Sequence, residues 1–466
     1  MQLQANVVLF YHNIHKTGSG GKKLRIQLSN HFTYRRLFHF VISPILMMVC
    51  TSLYSIVDGF FVSNFVGKTS FAAVNLIMPI AMGVGSIGFM FGAGGSAIIS
   101  KTLGEGKHDK ANQYFSMLIY TTIIISVVVS LIGIIFIRPI SASLGATGEL
   151  LENCVIYGRI LFISMTAFIL QNIFQNIFVA AEKPTLSLKI SIIAGLTNAI
   201  LDFLFMAVFN WGIAGAAVAT AIGQIVGGIV PMIYFAKKND SLLQLTKTKF
   251  YGKILLKICT NGSSEMVTNL SSSLVSILYN FQLMKIAGEN GLAAYGIIMY
   301  VNFTFTAIFI GFSIGTTPIV GYHYGAANHD ELKSLFDKSI KLIIGSGVVL
   351  TLLAGVFAAP LVKIFASYDI ELFTMAYHGF RLYSISFMLM GINIWGSAFF
   401  TALNNGIVSA TLSFLRTLVF QVIAILILPI FFGINGIWLA VVVSELLALL
   451  VTVTFLIKNK TKYLYA

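Results

Sequence analysis

ISPILMMVCTSLYSIVDGFFVSNFVG, residues 42–67, is an apolar run that carries a single carboxylate, Asp58. A run of this length without a turn signal reads as a transmembrane helix. A carboxylate inside such a helix is costly unless it is neutral, paired or holding a cation. The alternative, a side chain that snorkels to the interface, fits poorly: nine residues separate Asp58 from the first turn at Gly67–Lys68. Asp58 is therefore a candidate functional residue.

The rest of the chain supports a membrane reading. Of 466 residues, 57% are hydrophobic and only 10% charged, and the mean hydropathy is +0.89. Soluble domains carry about 25% charged residues, so a soluble enzyme is excluded. No cleavable signal peptide is visible in residues 1–37, which hold Lys16, Lys22, Lys23, Arg25, Arg35 and Arg36. Cys50, Cys154 and Cys259 are scattered, without metal-ligand or disulfide spacing.

Apolar segments near 38–66, 70–100, 113–137, 158–181, 188–209 and 212–236 predict six helices. Segments near 254–286, 291–321, 338–364, 379–403, 413–432 and 435–457 predict six more. The polar, basic stretch AKKNDSLLQLTKTKFYGK (236–253) divides them. The expected organisation is a tail (1–37), an N-lobe (38–236), a linker (237–253), a C-lobe (254–457) and a second tail (458–466). With the N-terminus inside, 24 of the 30 Lys/Arg fall in inner segments. The outer six are Lys68, Arg138, Arg159, Lys285, Lys363 and Arg381. This positive-inside bias predicts both termini in the cytoplasm of a multi-pass plasma-membrane protein. The same distribution argues against nucleic acid as the partner of a +14 chain.

An internal repeat appears at one offset, 221 residues. Gly67, Ala72, Ala73, Ile77 and Met78 return as Gly288, Ala293, Ala294, Ile298 and Met299. LGEGKHD (103–109) returns as YGAANHD (324–330), Phe178 and Ala181 as Phe399 and Ala402, and GIAG (212–215) as GING (433–436). The fold class expected is all-α, with twelve transmembrane helices in two pseudo-symmetric six-helix lobes around a central cleft. Repeats of this kind build transporters whose substrate lies between the lobes.

Depth links the polar residues of the N-lobe. Asp58 lies nine residues before Gly67, Asp202 lies eight before Asn210, with Asn198 one turn away, and Thr220 lies eight after Gly212. Three helices thus bring oxygen ligands to roughly 12 Å below the outer surface. Two carboxylates, an amide and a hydroxyl at one depth suit a proton or a hard cation such as Na⁺. The alternative is that each residue only bonds a neighbouring helix, but no basic residue in those helices compensates two carboxylates. The repeat partners are Tyr279, Val419, Ile423 and Val441, so the scaffold is duplicated and the cluster is not.

These features together, IVDGFFVSNFVG, GLTNAILDFLF, GIAGAAVAT, GEGKHDKA and the repeat, resemble the multidrug and toxic compound extrusion (MATE) transporters. The resemblance spans about residues 28–457. It implies a secondary antiporter that exports bulky amphipathic, often cationic compounds in exchange for Na⁺ or H⁺, with no cofactor. It places the ion-coupling site at Asp58, Asn198, Asp202 and Thr220. Some branches carry a glutamate midway along the seventh helix; here that region reads SSSLVSILYN (271–280).

Other polar residues have two readings each. Tyr54, Asn172, Gln175 and Asn176 border either the cleft or another helix, and Glu265 either lines the cleft or pairs with helix-end groups. Glu445 corresponds to Gln224 in the repeat, which favours packing. GFSIG (311–315) matches a serine-hydrolase elbow, with His323 the nearest histidine, but an elbow needs a strand–turn–helix. GSGGKK (18–23) lacks the spacing of a P-loop. The alternatives carried forward are a flippase for lipid-linked precursors, which would need a strongly cationic cleft, and an intramembrane serine hydrolase using Ser313. A monomer with small-molecule substrates in a lipid bilayer is expected.

Overall fold

The computed structural model describes residues 26–366 and 369–466, which form helices joined by turns and irregular segments, with no strand among them. Residues 1–25 of the expected tail, with Lys16, Lys22, Lys23 and Arg25, lie outside the described residues. The helices are α1 (Tyr34–Phe65), α2 (Lys68–Gly104), α3 (His108–Ser143), α4 (Gly148–Ala180), α5 (Pro184–Val208) and α6 (Gly212–Ala236). A 74-residue helix, Gly252–Gly325, turns at Gly288, where φ is 61°. It is treated as α7 (252–287) and α8 (289–325). After it come α9 (His329–Val356), α10 (Ala358–Ala366), α11 (Ile370–Ser384), α12 (Phe387–Ala402), α13 (Gly406–Phe432) and α14 (Ile434–Tyr463).

Among the described residues, ten helices are long and apolar enough to cross a membrane. The pair α11–α12, bent by 49°, makes an eleventh span. Dividing Gly252–Gly325 at its turn gives twelve. Local chemistry starts the helices where the turns demand: Thr33 accepts from the Arg36 N–H, Asn328 from Glu331 and Asn405 from Val408, while Pro184 opens α5. The last span extends to Tyr463, beyond the expected 457, and the repeated His-Asp pairs open α3 and α9.

The two halves have separate cores. One gathers Phe115, Phe162, Phe174, Phe178 and Phe235 from α3, α4 and α6. The other gathers Tyr279, Tyr295, Phe380, Phe387 and Trp438 from α7, α8, α11, α12 and α14. A third cluster, at the face that carries the described ends of the chain, joins Leu28, Phe32, Phe40 and Val41 to Trp395, Phe399 and Tyr465. Residues 28–32 tie the halves there. The Leu28 N–H donates to Glu182 (2.7 Å), the Phe32 N–H to Glu331 (2.8 Å), and Lys338 Nζ to the Phe32 carbonyl (2.6 Å). This face is called the terminal face, and the opposite one the far face.

Close contacts between the halves are made by glycines near the terminal face. A Cβ on Gly94 would lie 2.1 Å from the Ile258 carbonyl, and one on Gly262 would lie 1.9 Å from that of Met90. On the other seam, Gly311 abuts Ile45 (2.5 Å) and Gly315 abuts Val41 (3.1 Å to Cα). The two seams are related by the repeat, Gly94 matching Gly315 and Val41 matching Gly262. Toward the far face, Gly59, Gly67, Gly288 and Gly296 meet nothing within 4 Å. The clamp is one-sided.

Candidate ion and substrate site

Four helices of the first half converge on Asp58. The carboxyl group faces Asp202, Asn198 and Thr220, from α5 and α6. Asn198 and Asp202, four residues apart, share a face of α5, and both are buried, as is Asp58. Gly223 lets α6 approach Asn198, where a Cβ would stand 3.0 Å from the asparagine Cβ. Directly after Asp202 the helix loosens into a π turn, Phe203–Val208, a departure from α geometry that is frequent at functional sites.

The buried oxygens are unsatisfied. Asp58 Oδ1, both Asp202 carboxylate oxygens, Asn198 Oδ1 and Nδ2, and Thr220 Oγ1 have no hydrogen-bond partner of good geometry. Among the described residues no ion pair reaches either carboxylate. Buried polar atoms are nearly always partnered, so six in one place mark a site shaped for something else. Four candidate oxygen ligands from three helices fit a hard cation, and a proton shared between the carboxylates fits equally.

Tyr157 of α4 is a member that the sequence reading missed. Its hydroxyl is buried without a partner, beside Asp58, Asp202 and Tyr54. The signal was present: Tyr157 lies nine residues after Gly148, where α4 leaves the far face, which is the depth count that singled out Asp58.

A cavity opens next to the cluster. Its lining includes Tyr54, Asp58, Thr220 and Gln224 with Met82, Met165 and Phe168. The flexible thioethers and the ring make a wall that can adapt to varied apolar shapes. Tyr54 lines this cavity within the first half. Asn172 and Asn176 do not line this cavity. They pack on the glycine face of α2, where a Cβ on Gly88 would be 3.1 Å from Asn172 Cβ and one on Gly92 would be 2.9 Å from Asn176 Nδ2. Their amides donate to the carbonyls of Phe168 and Asn172. Gln175 is buried, its carbonyl near the Ser187 hydroxyl.

In the second half, Glu445 pairs with Arg416, whose Nε donates to both carboxylate oxygens at 2.9 and 3.0 Å. Asn393 Nδ2 donates to the same carboxylate at 2.7 Å. Arg416 lies inside α13, its side chain 14% exposed. Glu265 stands three residues beyond Gly262 on α7, with Arg416 the basic residue acting on it. Tyr279, the partner of Asp58, stacks on Tyr295 at 4.9 Å and donates to Gln421 at 3.2 Å, filling with aromatic packing the place the carboxylate holds in the first half. Ser313 and His323 lie ten residues apart on one helix, and the His323 ring packs against Phe32 and Tyr322. A nucleophile and its base must be within hydrogen-bond reach, and roughly 15 Å of helix separates these two.

Comparison with known proteins agrees with this architecture. The MatE family model matches residues 44–204 and 266–427, two segments placed as the internal repeat requires. The multidrug export protein MepA of Staphylococcus saprophyticus subsp. saprophyticus is 24% identical over 406 residues, covering 87% of this chain and 88% of that protein. MepA of Staphylococcus aureus is 25% identical over 421 residues, covering 89% and 92%. In fold, the chain is similar to a MATE crystallised in complex with MaL6, with a TM-score of 0.90 at 22% identity, covering 95% of this chain and 99% of that one. It is similar too to an outward-facing multidrug resistance MATE family transporter of the MOP superfamily, with a TM-score of 0.88 at 22% identity over the same shares. The family model accounts for well over half of the sequence, in two copies, one per six-helix half: this protein belongs to the MatE family, which consists of membrane transporters and not of enzymes.

Proposed function

We propose that the protein is a secondary active antiporter that exports bulky amphipathic, often cationic compounds from the cell in exchange for Na⁺ or H⁺. The observation that carries this reading is the set of unpartnered buried oxygens around Asp58, set against a cavity of thioether and aromatic side chains. The naming of the MepA relatives as multidrug export proteins supports the substrate class.

In the mechanism proposed, Asp58, Asn198, Asp202 and Thr220 hold the coupling ion. Without an ion the two carboxylates repel; a proton or Na⁺ cancels that repulsion and favours a different packing of α1 against α5 and α6. Because Asp58 and Thr220 also line the cavity, a change in α1 reshapes the pocket the drug occupies. Ion and drug are coupled if each prefers a different state of this half. The basic segments at the terminal face support a cytoplasmic location for that face, with both termini inside. The glycine clamp then closes the cytoplasmic side, and rocking the halves about it exposes the cavity to each side in turn.

The test is dye efflux from proteoliposomes under separately imposed Na⁺ and pH gradients. Efflux driven by one gradient names the ion; efflux driven by neither, with ATP-independent folded protein present, refutes antiport.

A further inference from the structure

The Arg416–Glu445 pair has no counterpart in the first half, where the equivalent residues are Gly195 and Gln224. Gln224 instead accepts from Ser164 at 2.7 Å. A tie needed only to pack six helices is dispensable in one copy of the scaffold, and a buried ion pair is a costly way to make it. Something else uses the charge.

The geometry of the guanidinium says what. Only Nε is committed, to Glu445, which Asn393 holds in place from the other side. Among the described residues, Nη1 and Nη2 form no hydrogen bond, and the side chain keeps 14% of its surface exposed. A guanidinium anchored through Nε presents its two remaining nitrogens as a planar fork, the geometry that matches a carboxylate or phosphate. Arg416 also sits in a π-helical stretch, Leu415–Val419, which shifts the side chains of that turn relative to a regular helix. The π turn of the first half follows Asp202 and falls at a different repeat position.

Glu265 completes the arrangement. Its carboxylate forms no hydrogen bond or ion pair among the described residues, and the residue is half-buried. α7 and α13 run side by side from the terminal face, with Gly406 packed on Thr260 and Asn261. Counting along both helices from that contact puts Glu265 and Arg416 roughly 8 Å apart along the axes. An uncommitted negative group and an uncommitted positive fork therefore stand at neighbouring levels, with Glu265 just beyond the clamp.

We infer that Arg416 and Glu265 form a recognition site in the second half for the charged groups of transported compounds, Arg416 binding a carboxylate or phosphate and Glu265 an ammonium. The transporter then takes zwitterionic amphipaths in addition to simple cations, and Arg416 sets the preference. This rests on the export reading above, so the test measures binding, which needs neither an ion gradient nor transport.

The probes are rhodamine B, which carries a free carboxylate on a cationic xanthene, and rhodamine B ethyl ester, in which that carboxylate is blocked. Affinities of the full chain in lipid nanodiscs are measured by fluorescence anisotropy. The wild type is expected to bind the free acid about tenfold more tightly than the ester, the discrimination typical of one charge-assisted pair. Arg416→Gln should bring that ratio to about one, Arg416→Lys, which keeps charge but not the fork, should leave an intermediate ratio, and Glu265→Gln should weaken both dyes and keep the ratio. If Arg416→Gln fails to fold, as judged by gel filtration, Arg416→Lys reads the same ratio. A ratio near one in the wild type, or one that Arg416 substitutions leave unchanged, overturns the inference. If the ester is nevertheless exported under an ion gradient, the export reading survives that failure. If neither dye is bound or exported, both fail.

Discussion

Gly104 and Gly325, equivalent residues 221 positions apart, back onto each other's helices at the terminal face. A Cβ on Gly104 would lie 2.0 Å from the carbonyl oxygen of Tyr322, and one on Gly325 would lie 2.1 Å from that of Lys101. Lys101 and Tyr322 are themselves repeat partners, so the contact is reciprocal and the pseudo-twofold axis passes through it. The blocking atoms are backbone, which a side-chain rotation cannot move.

This contact predicts that Gly104→Val or Gly325→Val forces α2 and α8 apart and disfavours the state closed at the terminal face. Spin labels at Lys107→Cys and Lys257→Cys, which line one pocket from opposite halves, should report a longer distance in either variant. Export should fall at least about tenfold, since a shift of a few kcal/mol is enough to depopulate one of two states. An unchanged distance in well-folded protein would mean that the clamp yields without opening.

The basic terminal face predicts topology. The linker turn is built by Asn239 and Ser241, whose hydroxyl donates to Asn239 Oδ1 at 2.7 Å. In intact cells, a cysteine at Asn239 should resist a membrane-impermeant maleimide and react only after permeabilisation. Labelling from outside would invert the orientation.

The asymmetry of the halves predicts unequal sensitivity at repeat-related positions. Asp58→Asn preserves volume and removes the titratable group, so coupled efflux should drop to background while folded protein remains in the membrane. Tyr279→Phe loses one hydrogen bond of 3.2 Å, worth about 1 kcal/mol, and should leave efflux within about twofold of wild type. Equal damage from both would deny the first half any special role.

The convergence of α1 and α5 predicts that Asp58 and Asp202 act as a unit. Removing either should cost nearly the whole coupling, and the double variant little more, because groups that share one ion are non-additive. Ion-driven efflux at equal expression for Asp58→Asn, Asp202→Asn and the pair decides it. Losses that add in free energy, or a fully active Asp202→Asn, would leave Asp58 working alone.

The sequence by itself determined whatever depends on counting along the chain. Twelve apolar spans, the repeat and the common depth of Asp58, Asp202 and Thr220 are all one-dimensional quantities, because a membrane fixes both the direction and the rise of each helix. The same count reached Tyr157 as soon as α4 was given a starting residue. What only the tertiary structure decided is which faces meet. Asn172 and Asn176 have the spacing of a cleft-lining face, yet that face is turned to the glycines of α2, since helix rotation about its own axis is set by packing against neighbours. Arg416 counted only as one basic residue of an inner segment; its partner Glu445, at 29 residues' separation, and Asn393, which donates to the same carboxylate, come together only when α12, α13 and α14 fold onto one another.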